Sequence, residues 1–174
     1  ALYWAVSAGA MDSLVANYTA TEKFRNEDDL TPGGINNRRP DRACMVYTNL
    51  IRRHFKNTKP IVLGGIEASL RRVVHYDIKD KKLRRSLLFD AKADILAYGM
   101  AEQTMLELSY ALRENKDYRD IKGLCYISKE PKDGYIDIPS FEDCVLDKNL
   151  FREMFKTFYD NSAYVNSKGL NQKH

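Results

Sequence analysis

Three turns that contain glycine each follow a short apolar segment, as ligand-binding turns do in parallel sheets. They cover residues 7–9, 64–69 and 98–102. Glycine there permits a positive φ angle and the close approach of a phosphate or a peptide backbone. A single such glycine has a simpler explanation in chain geometry, and none of the turns matches GxGxxG or the Walker sequence. Together the three turns predict a ligand or contact site at one edge of a sheet.

The segment that follows the second turn is strongly basic. Paired arginines beside such a turn can clamp a phosphate or a nucleic-acid backbone. The same charges also fit a solvated surface balanced by nearby aspartates. Nucleic acid is the less expected ligand, because aromatic residues are not interleaved with the basic ones as a single-strand platform requires. The basic residues are Arg71, Arg72, Lys79, Lys81, Lys82, Arg84 and Arg85.

The cysteines and histidines supply no familiar catalytic or metal-binding pattern. Cys44, Cys125 and Cys144 lie far apart, without the close pairs typical of zinc sites and disulfide frameworks. We expect each to be a small, buried or half-buried apolar residue. A nucleophile elbow at Ser7 needs a glycine at position 5, where the chain has alanine. A structural hydrogen bond is the simplest role for His75, although an anion or metal contact stays open.

The composition bounds the remaining possibilities. The chain has 174 residues, 44% hydrophobic and 30% charged, with a net charge of +4. These values are typical of one folded domain, leave room for a second small one, and exclude a disordered chain. No apolar run is long enough for a transmembrane helix. Because the sequence shows no secretory leader, we expect a cytoplasmic protein.

Apolar runs and helical periodicity alternate along the chain, which predicts an α/β fold. We expect a Rossmann-like (flavodoxin- or cobalamin-binding-like), mostly parallel sheet with helices on both faces, truncated at its N-terminus because a buried strand comes first. Residues 1–128 are predicted to form this domain, and residues 129–174 a connector with a C-terminal helix. The predicted strands cover residues 2–6, 61–63, 93–98, 124–127 and 135–138, and the predicted helices 11–17, 40–55, 83–89, 101–114 and 149–159.

Long, unusual strings carry a resemblance to a known family. They occur in order and are VSAG (6–9), MDS (11–13), YTA (18–20), TPGG (31–34), RPDRA (39–43), GGIEASLRR (64–72), HYD (75–77), KAD (92–94) and YGMAE (98–102). Together they resemble the YgiQ-type (UPF0313) radical SAM proteins, which are large bacterial iron–sulfur proteins. The resemblance extends from residue 1 to about residue 172.

The resemblance implies that this chain is the N-terminal accessory region of an Fe–S oxidoreductase-like protein. Its parent would hold a [4Fe–4S] cluster and S-adenosyl-L-methionine (SAM), and the radical SAM core of the same chain would be the partner. The CxxxCxxC sequence that holds such a cluster is absent here, so we expect neither catalysis nor metal binding in this region. A similarity to cobalamin-binding-like domains is also present, but without the DxHxxG string cobalamin is not expected.

The leading hypothesis gives the strand-end turns a role in ligand or interdomain contact. The alternative is a freestanding module that binds a nucleotide or another anion through Arg71, Arg72, Arg84 and Arg85. Neither hypothesis involves a membrane. The residues predicted for ligand or interdomain contact are Ser7, Gly9, Asp12, Ser13, Gly64, Gly65, Glu67, Ser69, Arg71, Arg72, His75, Asp77, Gly99 and Glu102.

Overall fold

A computed structural model describes residues 1–162 and 167–174 and divides the chain into two compact units. Unit 1 comprises Ala1–Arg72 and Leu87–Ile127, and unit 2 comprises Val73–Ser86 and Ser128–His174. The domain boundary at residue 128 stays a prediction about the parent protein, and residues 163–166 of the predicted connector lie outside the described residues.

Strands and helices alternate over much of the chain, although some elements are followed by another of the same kind. In chain order they are β1 (Trp4–Ser7), α1 (Ser13–Asn17), α2 (Ala43–His54), β2 (Ile61–Gly64), α3 (Gly65–Leu70), β3 (His75–Asp77), β4 (Lys82–Arg84), α4 (Leu87–Ala91), β5 (Ile95–Ala97), α5 (Glu102–Arg113), β6 (Leu124–Tyr126), β7 (Ile136–Ile138), α6 (Phe141–Leu146), α7 (Lys148–Asp160) and β8 (Leu170–Gln172). None of the helices in the described ranges is long and apolar enough to cross a membrane.

Unit 1 contains a four-stranded sheet in the order β1-β2-β5-β6. The first three strands run parallel, with Val62 of β2 between Ala5 of β1 and Ile95 of β5, whereas β6 is antiparallel to β5. Strand β2 is central, and its first three residues are buried. The predicted Rossmann-like fold with a mostly parallel sheet is therefore confirmed.

Both faces of this sheet are covered, because successive side chains of a strand point to opposite sides. Ile61 and Leu63 of β2 join a buried cluster on one face, together with residues of α2, α3 and α4. Val62, between them, joins a second cluster with Leu108 of α5. Apolar residues at every position of β2, without alternation, thus reflect burial on two faces.

Unit 2 is built from two small sheets and a helical pair. Strands β3 and β4 form an antiparallel hairpin, and β7 pairs in parallel with β8. Its core contains Val74, Ile138 and Met154, all buried. Helix α6 begins with a capping box in which Ser140 and Asp143 exchange hydrogen bonds, and the Ser140 hydroxyl holds the pKa of the Asp143 carboxyl below its usual value.

The helix predicted over residues 83–89 is wrong at its start. Residues 82–84 form β4 instead, and the helix covers Leu87–Ala91. Arg84 extends back across the hairpin to Asp77 and Asp80, which favours strand pairing over a helical turn at this point.

Other boundaries differ because single residues have backbone angles outside the helical region. Helix α2 starts at Ala43 rather than at residue 40, since Arg42 has φ −135° and ψ 73°. Helix α1 starts at Ser13, because Asp12 is extended and caps the helix. The short elements β3, α3, α6 and β8 are not predicted from the sequence.

The central strand provides a test of this core. Leu63→Ala removes a fully buried side chain from β2, and we expect a loss of about 2–5 kcal/mol in the free energy of unfolding. Leu106→Ala, at an exposed position of α5, should change it by less than about 1 kcal/mol. Denaturant unfolding of both variants measures the difference, and equal losses would contradict the burial assigned to Leu63.

Candidate functional site

The three predicted turns meet at one edge of the unit 1 sheet, because β1, β2 and β5 are parallel and end there. The first two turns are in close contact: Gly65 has φ +80°, and a Cβ at this position would lie 2.7 Å from Oγ of Ser7. The second and third turns are joined through Ser69, whose hydroxyl donates to the Gly65 carbonyl at 2.9 Å and accepts from the Gly99 amide at 3.2 Å. We call this the carboxyl edge.

A buried carboxylate links the elements that surround this edge. Glu67, in the first turn of α3, is 2% exposed. Its Oε2 accepts from the backbone N–H of Ser13 and its Oε1 from that of Cys44, each at 3.0 Å. These amides belong to the first turns of α1 and α2, where N–H groups lack partners within the helix. One side chain thus satisfies two helix N-termini.

Helix α2 depends on residues distant in the sequence for its cap. Its N-cap residue, Arg42, makes no capping bond through its side chain. The Ser13 hydroxyl instead accepts from the Ala43 amide at 3.2 Å, next to the bond from the Cys44 amide to Glu67. The predicted site residues Ser13 and Glu67 therefore act together as the cap of α2.

Asp12 and Arg71 complete this polar network. Asp12 caps α1 by accepting from the Leu14 amide at 2.9 Å, and its other oxygen forms an ion pair with the Arg71 guanidinium. Arg71 also donates to the carbonyl of Glu67 at 3.3 Å. Both charged side chains are largely shielded from water. The network therefore holds α1, α2 and α3 together rather than presenting charges to solvent.

Two of the other arginines proposed for anion binding, Arg72 and Arg84, also make internal contacts. Arg72 stacks on the ring of Tyr98, with its Cζ 4.5 Å from the ring centroid, and donates to the Ser69 carbonyl at 2.6 Å. Burial lowers the pKa of the Arg72 guanidinium. In unit 2, Arg84 pairs with Asp77 at 3.3 Å and with Asp80. These contacts give no support to a freestanding anion-binding module.

His75 and Asp77 belong to the β3–β4 hairpin of unit 2. Nδ1 of His75 donates to the Val73 carbonyl at 3.1 Å, the kind of structural bond expected from the sequence. Asp77 is buried and accepts from the Asp80 amide at 2.9 Å, which closes the hairpin turn. The structure therefore places these two predicted site residues within a local unit 2 motif.

The remaining predicted residues lie at the carboxyl edge itself. The Gly9 amide donates to Oγ of Ser7 at 3.0 Å. Gly64 is the N-cap of α3, and Glu102 is an exposed residue in the first turn of α5. Their role in ligand or interdomain contact stays a prediction.

Large apolar side chains are exposed in the connections that leave the carboxyl edge, and the sequence analysis missed them. The most exposed is Met100, at 93%. The available signal was an apolar residue directly after a turn glycine, as in Gly65-Ile66 and Gly99-Met100. We call these side chains the apolar rim; they are Met11, Ile66, Leu70 and Met100.

The long connection from α1 to α2 is braced by its own polar side chains. The Asn17 amide group donates to Asp41 at 2.9 Å and to the Arg39 carbonyl at 3.1 Å. Arg39 in turn pairs with Asp28 at 3.0 Å. Hydrogen bonds from Thr31 and from the backbone amide of Leu30 hold the pKa of the Asp28 carboxyl below its usual value. These bonds order a segment that has little regular secondary structure.

Comparison with known proteins places the chain in a family. Residues 1–174 match the family described as Radical SAM N-terminal. The chain belongs to this family. A UPF0313 protein of Fusobacterium nucleatum is 58% identical over 173 residues, which cover 99% of this chain and 30% of the relative. The resemblance stated from the sequence strings is thereby confirmed.

More distant members of the UPF0313 group are similar over the same region. A protein of Thermotoga petrophila is 45% identical over 158 residues, covering 89% of this chain and 28% of the relative. One of Methanocella arvoryzae is 43% identical over 178 residues, covering 99% and 30%. The chain thus spans about 30% of the length of the curated relatives it matches. No solved structure matches it.

Membership in a radical SAM family implies a [4Fe–4S] cluster and SAM in the full-length protein. The cysteines of this radical SAM N-terminal region do not fit such a cluster. Burial raises the pKa values of Cys44 and Cys125 to about 12, so both thiols are neutral in this fold. Within residues 1–162 and 167–174, no three cysteine, histidine or acidic side chains are grouped to hold a metal ion.

The cap formed by Glu67 can be tested by a change of one atom. Glu67→Gln places an NH₂ group against one of the two helix N–H donors, and we expect a loss of about 2–3 kcal/mol in unfolding free energy. Glu102→Gln is the matched control, an exposed acid in the first turn of α5, with an expected change of less than about 0.5 kcal/mol. Denaturant unfolding that gives the two variants equal stability would contradict the capping role.

The buried thiols provide a second test. With pKa values of about 12, Cys44 and Cys125 should react with iodoacetamide at pH 8 about a thousandfold more slowly than an ordinary cysteine thiol. Raising the pH increases the thiolate fraction, so the labelling rate should rise about tenfold per pH unit while the fold persists. Mass spectrometry of native and urea-unfolded protein reports each site, and fast native labelling of either cysteine would contradict this environment.

Proposed function

We propose that residues 1–174 are a non-catalytic accessory region of a radical SAM enzyme and that its carboxyl edge contacts the catalytic part of the same protein. One observation carries the proposal. The chain belongs over its whole length to a radical SAM N-terminal family, yet within residues 1–162 and 167–174 no three cysteine, histidine or acidic side chains are grouped to hold a metal ion. The [4Fe–4S] cluster and SAM would then be held outside residues 1–174.

The carboxyl edge has two properties of an interdomain contact. Its turns are held together by the contacts of Gly65 and Ser69, so the surface is ordered before any partner binds. Its rim exposes apolar side chains, and burial of each would contribute about 1.5–3 kcal/mol. Ordered apolar surface of this kind is typical of places where another part of a protein docks.

The arginines beside the carboxyl edge point into unit 1, which also supports an interdomain contact over an anion site. Arg71 is paired with Asp12, and Arg72 lies against Tyr98, so both guanidinium groups have partners inside unit 1. A surface meant to hold phosphate would direct such groups outward. The contact we propose is therefore mainly apolar. The reaction of the parent is oxidoreductase-like radical chemistry on a substrate that the accessory region does not define.

We also infer a cytoplasmic location. It is supported by three cysteines that are all free thiols, a state typical of proteins in reducing compartments.

The full-length protein tests this proposal. After anaerobic reconstitution with iron and sulfide, it should cleave SAM reductively to 5′-deoxyadenosine. Ile66→Asp and Met100→Asp place a charge on the apolar rim, and we expect each to lower the cleavage rate about tenfold or more, because a buried unpaired charge opposes docking.

Leu106→Asp serves as the control. Leu106 is 50% exposed, against 52% for Ile66, but belongs to α5 and not to the apolar rim, so its replacement should leave cleavage within about twofold of the wild type. Wild-type protein that binds no cluster and cleaves no SAM would refute the radical SAM assignment. Normal cleavage by both rim variants would refute docking at this edge while leaving that assignment intact.

A further inference from the structure

The unit 1 sheet is open along its outermost strand, β1, a side of the sheet that differs from the carboxyl edge where the strands end. Strand β1 is hydrogen-bonded to β2 on one side, and no other described strand pairs with its opposite side. The Trp4 amide donates to the Pro60 carbonyl at 2.8 Å, so Trp4 and Val6 direct their backbone groups toward β2. Backbone groups alternate along a strand, and those of Ala5 and Ser7 therefore point outward. Both residues are exposed, although Val6 between them is buried.

The sequence of β1 is unlike that of a protected sheet edge. Natural edge strands discourage further pairing with lysine, proline or a bulge. Strand β1 reads Trp-Ala-Val-Ser, without charge or proline. Trp4 is partly buried against one core cluster, and Tyr3, directly before the strand, is partly buried against the other. Apolar side chains on both faces are typical of strands in a covered parallel sheet.

The opposite edge of the same sheet supplies a direct contrast. Strand β6 is antiparallel to its neighbour, has only three residues, and lies between Lys122 and Lys129. An antiparallel strand is common at the edge of an otherwise parallel sheet, and short strands with lysines nearby discourage further pairing. The two edges of one sheet therefore differ in kind, and only β1 lacks the features of a terminal strand.

We propose that the open edge of β1 pairs with a β-strand from the part of the full-length protein outside residues 1–174. The exposed groups are backbone N–H and C=O, and another extended backbone is the partner that satisfies them in series. The rest of the full-length protein can supply this strand, because residues 1–174 span only 30% of the length of the Fusobacterium relative. The inference shares with the proposed function only the premise of a longer protein and needs no catalytic activity.

Hydrogen exchange in the full-length protein, measured residue by residue with mass spectrometry, tests the pairing. The amides of Ala5 and Ser7 should exchange about a hundredfold more slowly than the Leu124 amide, which faces away from β5 at the other edge. Exchange of Ala5 and Ser7 as fast as that of Leu124 would overturn the proposal. Protection that disappears on dilution would place a second copy at the edge, and would overturn it too.

Two variants distinguish pairing of β1 with another strand from burial of β1 under a helix or loop. Ala5→Pro removes one of the outward N–H groups, and we expect it to lower the protection of the Ser7 amide about tenfold by interrupting the new ladder. Ala5→Thr keeps the N–H and should leave that protection unchanged. Equal Ser7 protection in both variants would mean that something other than a strand covers β1, and the proposal would fail. Neither readout uses SAM cleavage, so a failure here is distinct from a failure of the proposed function.

Discussion

The bond between one buried carboxylate and two helix N-termini is the constraint on which the carboxyl edge depends. A charge that is 2% exposed must be satisfied by hydrogen bonds, and Glu67 finds them on the Ser13 and Cys44 amides. Those amides in turn lack partners within their own helices. Because each side needs the other, α1, α2 and α3 are fixed where β1 and β2 end, and the turns between them have one arrangement.

This constraint also decides what the edge presents to solvent. Asp12, Ser13 and Arg71 are engaged around Glu67 and face inward, so the exposed side chains of this edge are others, among them Glu102 and the apolar Met100. Polar residues beside strand ends are ordinarily taken for ligand contacts, but here they are helix caps and braces. The sequence places these polar residues at the carboxyl edge, but it does not show whether their side chains point inward or outward. That depends on the partners that the fold brings near them.

The same distinction separates what was predictable from what was not. The sheet and its two covered faces follow from residues 61–63 and 95–97, since only a strand buried on both sides is apolar at every position. Helix α3 was missed because its six residues are too few to display a period, and β4 because its pairing rests on Arg84 reaching Asp77 across the hairpin. The site turns were located correctly, yet Ile66 and Met100 were overlooked because exposure is a tertiary property.

The cap at the N-terminus of α2 also sets the environment of the Cys44 thiol. Thiolates are favoured near positive charge or at an open helix N-terminus. Cys44 lies in the first turn of α2, but the carboxylate of Glu67 already accepts the Cys44 amide there. Burial and the Glu67 charge together raise the pKa of the thiol to about 12. The carboxylate that holds the edge together therefore also keeps Cys44 a neutral member of the buried core of unit 1.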